Sequence, residues 1–256
     1  MSSRPRPQLP HDPWAEHYES VMELTFGDLY EGMTRCTLAE VNRLAPTAGT
    51  ILDLGAGSGR MVIPLASSGH RVVAVEHSGP MLEALRMRLS SLSPGHAERV
   101  DVRQASMSEL EPVGIVDVVL CVFTVISYCL TEAELGRTFT VAAAALDNAG
   151  AFLLDVPDKD VFSSMDVESG DLIREVSMTE EAPGLFAYHE HTVLRTDEGP
   201  VEYRDSFHLR HWSVEDVTRI LRKAGFTSIE NVSERFPGLG AHYLVARTGE
   251  VSLTER

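Results

Sequence analysis

Residues 51–60, Ile-Leu-Asp-Leu-Gly-Ala-Gly-Ser-Gly-Arg, constrain this chain more than any other stretch. Ile51, Leu52 and Leu54 read as the apolar end of a buried strand. Gly55, Gly57 and Gly59 then occupy alternate positions, and a helical pattern starts near Met61. A strand, a glycine-rich turn and a helix bring bare backbone close to a ligand and present unpaired N–H groups to it. The stretch therefore predicts an α/β chain with a nucleotide-type site at the end of its first strand.

The spacing narrows the ligand. A dinucleotide site needs G-x-G-x-x-G, which would put glycine at position 60, where this chain has Arg60. That counts against a nicotinamide-dependent oxidoreductase. The pattern here is Asp53-x-Gly55-x-Gly57-x-Gly59, with Ala56 and Ser58 between the glycines. Glu76 falls 23 positions after Asp53, just past the strand Arg-Val-Val-Ala-Val over 71–75. In a βαβ unit that places it beside the glycine turn, where a carboxylate accepts from two ribose hydroxyls.

The rest of the chain alternates in the same way. Residues 13–45 carry apolar side chains at helical spacing, interrupted at Gly27 and Gly32. Further strands are expected over 50–54, 99–103, 115–122 and 151–156. Helices are expected over 60–67, from Ser78, and over 132–146, the last with a Thr131–Glu134 capping box and a stop at Asn148-Ala149-Gly150. Three antiparallel strands, Leu172–Met178, Leu185–Leu194 and Val201–Leu209, are separated by turn signals at Pro183-Gly184 and Asp197-Glu198-Gly199-Pro200. Ser213 caps a helix that ends at Ala224-Gly225-Phe226, and strands over 228–236 and 241–247 close the chain.

This order of elements, with Asp53/Gly55/Gly57/Gly59 and Glu76, resembles the class I S-adenosylmethionine-dependent methyltransferases. The resemblance covers most of 50–156 and 211–247. It implies a Rossmann-like, doubly wound seven-stranded sheet with N-terminal helices and an inserted antiparallel sheet. The implied division is a disordered tail over 1–12, a helical cap over 13–46, the cofactor domain over 47–158 and 212–256, and the insert over 159–211. The implied cofactor is S-adenosylmethionine, with S-adenosylhomocysteine as product. Its expected contacts are Tyr18, Asp53, Gly55, Ala56, Gly57, Gly59, Glu76, His77, Met81, Ala105, Ser106, Met107, Cys121, Val122 and Phe123. Ser106 stands where the family usually has an Asp that accepts from the adenine amine. The cap and insert also resemble those of bacterial natural-product N-methyltransferases acting on amino sugars or peptide terminal amines.

Composition limits the partners. Net charge is −16, and over 155–205 there are 14 Asp and Glu against 4 Lys and Arg, a net of −10. This excludes a phosphate-backbone partner and suits a cationic small molecule or short peptide. The longest apolar runs, such as 116–126, are too short to cross a bilayer, and the N-terminus lacks the apolar core of a signal peptide. The three cysteines form no Cys-x-x-Cys pair, so a reducing cytoplasm is expected and neither a disulfide framework nor a zinc site. His189 and His191 share a strand face but have no evident third ligand, so no metal is expected. Catalytic candidates are Tyr18, Tyr128, His208 and His211, with Tyr30 and Phe123 as further aromatic wall. The leading expectation is N-methylation of an amine. The alternatives are O-methylation with His208 or His211 as base, and a non-catalytic cofactor-binding scaffold. A free edge on the inserted sheet makes a homodimer a further expectation.

Overall fold

The computed structural model describes residues 8–238 and 240–249. Five parallel strands form the centre of the main sheet: β1 (Thr50–Leu54), β2 (Arg71–Glu76), β3 (Val100–Gln104), β4 (Val116–Cys121) and β5 (Leu146–Pro157). Two more, β10 (Ser228–Asn231) and β11 (Ala241–Arg247), complete it in the order β10-β11-β5-β4-β1-β2-β3. β11 runs antiparallel to β5, and β10 antiparallel to β11. The strand order reverses between β1 and β4, which creates a crevice at their C-terminal ends.

Strands covered on both faces need apolar side chains on both faces, and β4 supplies Val118, Val119, Leu120 and Cys121, all fully buried. On one face they meet α6 (Glu132–Ala144) and α7 (Val214–Lys223) through Leu135, Phe139, Val217 and Leu221. On the other they meet α2 (Asp28–Leu44), α3 (Val62–Ser67) and α4 (Gly79–Ser90) through Val41, Leu65, Leu82 and Leu85. Each such side chain contributes about 1.5–3 kcal/mol by leaving water. The expected caps form: Ser78 Oγ accepts from Met81 N–H, Thr131 and Glu134 make a full capping box, and Ser213 Oγ accepts from Asp216 N–H.

Some expected boundaries move. α1 (Tyr18–Phe26) and α2 part at Gly27, but Gly32 stays inside α2, where its small size suits a buried position. β5 pairs from Leu146 onward, ahead of the expected start at 151, and loses register between Val116 and Val118 of β4. The expected stop is still visible there, because Asp147 accepts from the Ala149 and Gly150 N–H groups. The strand expected over 228–236 ends at Asn231 and gives way to a 3-10 turn over Ser233–Arg235.

The insert has four strands rather than three. β6 (Met165–Ser169) precedes β7 (Leu172–Ala182), β8 (Leu185–Thr196) and β9 (Gly199–Arg210), paired in that order with β6 and β9 as edges. Pro183-Gly184 is the turn between β7 and β8. The insert holds the N-terminal helices through Trp14, Val21, Leu172, Leu194 and Tyr203. Beside that cluster lies a buried ion pair, with Arg174 Nε 2.8 Å from Glu190 Oε1. Tyr188 and Thr192 hydroxyls also donate to Glu190, and Arg174 donates to Thr25 Oγ of α1. Residues 1–7 of the expected tail, Leu239 and residues 250–256 lie outside the described residues. Gln8–His11 fold back on the protein instead of continuing a tail: the Gln8 side chain and His11 N–H both donate to Asp205.

Candidate active site

The glycine turn over 55–59 leaves β1 into the crevice. Gly55 has φ +76°, and a Cβ on it would lie 2.6 Å from Val125 Cγ1, so both backbone conformation and space require glycine. Gly57 N–H donates to Glu76 Oε2 at 3.0 Å, and Ser78 N–H donates to Oε1 at 2.7 Å. Each carboxylate oxygen keeps a free lone pair. Burial pushes the Glu76 carboxyl up, while the backbone N–H groups of Ser78, Gly57 and His77 pull it back. Asp53 is pushed up to about 7 by burial and then by the Glu76 charge.

The N-terminal helices lock this turn. Ser58 donates to Glu19 of α1, Arg88 of α4 pairs with Glu19 at 3.0 Å, and Tyr30 of α2 donates to the same carboxylate. Arg60 lies between two rings, 3.4 Å from the Tyr30 centroid and 3.7 Å from that of Phe123. It also donates to the Thr34 hydroxyl and the Tyr30 carbonyl. Opposite, the chain after β4 turns through left-handed φ at Phe123 and Thr124 (69° and 64°), a strained pair. Thr124 N–H is held by Asp155 Oδ2 at 2.9 Å.

These elements enclose a cavity of about 490 Å³. Its wall gathers Tyr18, Gly55, Ala56, Gly57, Glu76, His77, Met81, Ala105, Ser106, Met107, Val122, Phe123, Tyr128 and His208 from the residues expected by sequence. Five others are not on it. Gly59 faces helix α4, where a Cβ would lie 2.3 Å from Leu85 Cδ1, so it serves packing. Cys121 is fully buried inside the sheet. Asp53, 3% exposed, is enclosed at the end of β1. His211 instead packs edge-on against Phe162, and burial pushes its pKa down. Tyr30 reaches the site only through Arg60. His208 sits at the wall but is largely exposed and paired with Glu181 at 3.0 Å. His189 pairs with Ser206, and His191 with Glu175 and Glu202. No group of three or more metal-ligating side chains occurs among the described residues.

The sequence reading missed Gln8–His11, Arg60, Val125, Leu130 and Phe207, all on the wall. Arg60 was read only as a missing glycine. The signal for His11 was its setting, Pro10-His11-Asp12-Pro13-Trp14, where two prolines restrict the backbone beside a large aromatic.

Residues 51–150 match the family model described as a methyltransferase domain. Residues 51–150 thus form a methyltransferase domain, and the chain has the fold of the class I S-adenosylmethionine-dependent methyltransferases. A protein of Geobacillus sp. (strain WCH70) named "Putative methyltransferase" is 26% identical over 87% of this chain and 91% of its own. The methyltransferase also superposes on an S-adenosylmethionine-dependent methyltransferase from Clostridium acetobutylicum with TM-score 0.77 and 15% identity. That match covers 92% of this chain and 99% of that one. An S-adenosylmethionine-bound amino pentose methyltransferase from Micromonospora echinaspora gives 0.72 and 20%, over 90% and 96%. These likenesses show the shared fold. The cavity of this methyltransferase suits the cofactor: a bare glycine turn faces a buried carboxylate that still has lone pairs to offer. No described helix is long and apolar enough to cross a membrane.

Proposed function

We propose that this methyltransferase methylates an amine nitrogen on a small natural-product intermediate, either an amino sugar or the terminal amine of a modified peptide. The observation that carries this reading is the make-up of the cavity's acceptor side. Tyr18, Tyr128 and Phe207 line the cavity, and aromatic rings favour the cation that develops on nitrogen. Among the described residues, Arg60 is the one guanidinium or ammonium on the wall, and its charge is taken up by two rings. Neither phenol can act alone as a base, because burial pushes Tyr18 up to about 12 and Tyr128 well above its ordinary value. An amine that arrives uncharged needs none before it attacks. The insert's acidic surface raises the local concentration of cationic acceptors. The amino pentose methyltransferase that shares the fold supports the same class of acceptor.

On this reading Glu76 accepts from the ribose hydroxyls, and Ala105, Ser106 and Met107 border the adenine. Gly55–Gly57 face the amino-acid portion, and Asp53 acts on its ammonium through charge from behind the wall. S-adenosylmethionine supplies an electrophilic methyl group. The protein's part is to align the nitrogen with it and exclude water. The test is S-adenosylhomocysteine formation with amino sugars and short peptides against hydroxylated analogues lacking nitrogen. Turnover of amines should rise as pH approaches the amine's own pKa, and capture should weaken with salt. Methylation of the neutral hydroxyl compounds alone, without salt dependence, contradicts the proposal.

A further inference from the structure

His11 stands in a left-handed backbone conformation, φ 68° and ψ −2°, that a residue with a side chain seldom adopts. Such an outlier calls for a compensating role. Its side chain, 14% exposed, is boxed edge-on by the rings of Trp14, Tyr18 and Phe207 at 5.0–5.3 Å. Nε2 lies 2.7 Å from the Tyr128 hydroxyl. Nδ1 is buried with no hydrogen-bond partner, and its nearest carboxylate is Asp205 Oδ2 at 4.0 Å. The same Asp205 oxygen accepts His11 N–H at 2.7 Å, which fixes the residue's position. His11, Tyr128 and Phe207 all lie on the cavity wall.

A proton on Nδ1 points at the Asp205 carboxylate and leaves Nε2 as an acceptor. Tyr128 O–H then donates to Nε2, and the phenol oxygen offers the cavity only lone pairs. We infer that the hydrogen-bonded pair His11–Tyr128, with the Asp205 carboxylate facing Nδ1 across 4.0 Å, positions the acceptor's N–H and draws off the proton it sheds. This rests on the amine reading of the cavity.

The step balances. The nitrogen lone pair forms the N–C bond, and the S–C bond breaks with its pair going to sulfur. The N–H bond breaks with its pair staying on nitrogen. That proton goes to the Tyr128 oxygen while the Tyr128 proton passes to His11 Nε2. The site begins with one positive charge on the methyl donor and ends with one on the imidazole, facing Asp205. The charged groups that face His11 are Asp205 of β9, Glu190 of β8 and Arg174 of β7, with the phenols of Tyr18 and Tyr128 beside it. Burial lowers its pKa to about 4, Glu190 raises it and Arg174 lowers it further. The resting ring is therefore neutral near pH 7. Apo geometry of this kind commonly tightens only once substrate is bound, which suits the 4.0 Å gap.

Two measurements on the full chain test this arrangement. Nitrogen NMR of histidine-labelled protein should show His11 neutral between pH 6 and 8, protonated on Nδ1, with the Nε2 resonance moving in Tyr128→Phe. A charged ring, or a proton on Nε2, overturns the inference whatever the acceptor proves to be. With glucosamine and trialanine as probes, His11→Gln should lower kcat by about 10²-fold. KM and calorimetric affinity for S-adenosylhomocysteine should stay within a few-fold. A solvent deuterium isotope effect on kcat should be present in the wild type and absent in Tyr128→Phe. A folded His11→Gln that keeps kcat within twofold contradicts the relay. Wild-type protein that turns over neither amine but shows the expected NMR pattern contradicts the amine reading and leaves the His11–Tyr128 pair standing.

Discussion

Asp155 is a fully buried carboxyl at the end of β5, and its Oδ1 has no hydrogen-bond partner. Burial raises its pKa from 3.8 to about 7, and hydrogen bonds from backbone N–H groups, Thr124 first, only partly offset this. The sign follows from proton counts. Between pH 4 and 7 the folded state holds a proton that the unfolded chain has lost, so stability falls as pH rises through that window. Below about pH 4 the penalty is absent, and above about pH 7 it is complete. A shift of about 3 units at ~1.4 kcal/mol each sets an upper bound of about 4 kcal/mol. Asp155→Asn removes the titration while Asn Oδ1 keeps the bond from Thr124 N–H. Its new amide donor replaces the unpartnered oxygen and costs about 1–3 kcal/mol. Asp155→Asn should therefore be more stable than wild type at pH 8 by about 1–3 kcal/mol, and no more stable at pH 4. Urea unfolding followed by circular dichroism at five pH values checks this. Asp53 titrates in both proteins and cancels from the difference. A stability difference that does not change with pH refutes the reasoning.

The buried ion pair within the insert gives a second outcome: Arg174→Ala leaves Glu190 charged and buried, and should cost about 3–5 kcal/mol in urea unfolding. Arg174→Met with Glu190→Leu should recover most of that loss. Gly59→Ala combines φ +90° with a 2.3 Å approach to Leu85, and should cost roughly 2 kcal/mol or more. Gly114→Ala, at φ +86° with nothing within 4 Å, isolates the backbone share and should cost less.

The parts of this site that follow from local sequence were legible. The glycine turn, Glu76, the caps at Ser78, Thr131 and Ser213, and the seven-stranded sheet all rest on spacing within a few residues or on strand–helix alternation. Features that depend on distant packing were not. Arg60 is 30 positions from Tyr30 and 63 from Phe123, and nothing in its neighbourhood announces two rings around it. β6, Met-Asp-Val-Glu-Ser, is short and polar because it is an edge strand, so its alternation carries little apolar signal. Residues 8–11 look like a tail by composition, yet Asp205, almost 200 positions away, fixes them over the cavity. His211, expected as a candidate base alongside His208, lies just beyond the end of β9, against Phe162 and off the cavity wall.

The central claim is that the cofactor lies over the β1 turn with its ribose on Glu76. Calorimetric titration of S-adenosylhomocysteine into wild type and Glu76→Ala tests it most directly. Loss of a charge-assisted bond should weaken binding by about 1.5–3 kcal/mol, about 10- to 150-fold. Unchanged affinity in a variant with the wild-type circular dichroism spectrum and melting transition contradicts it.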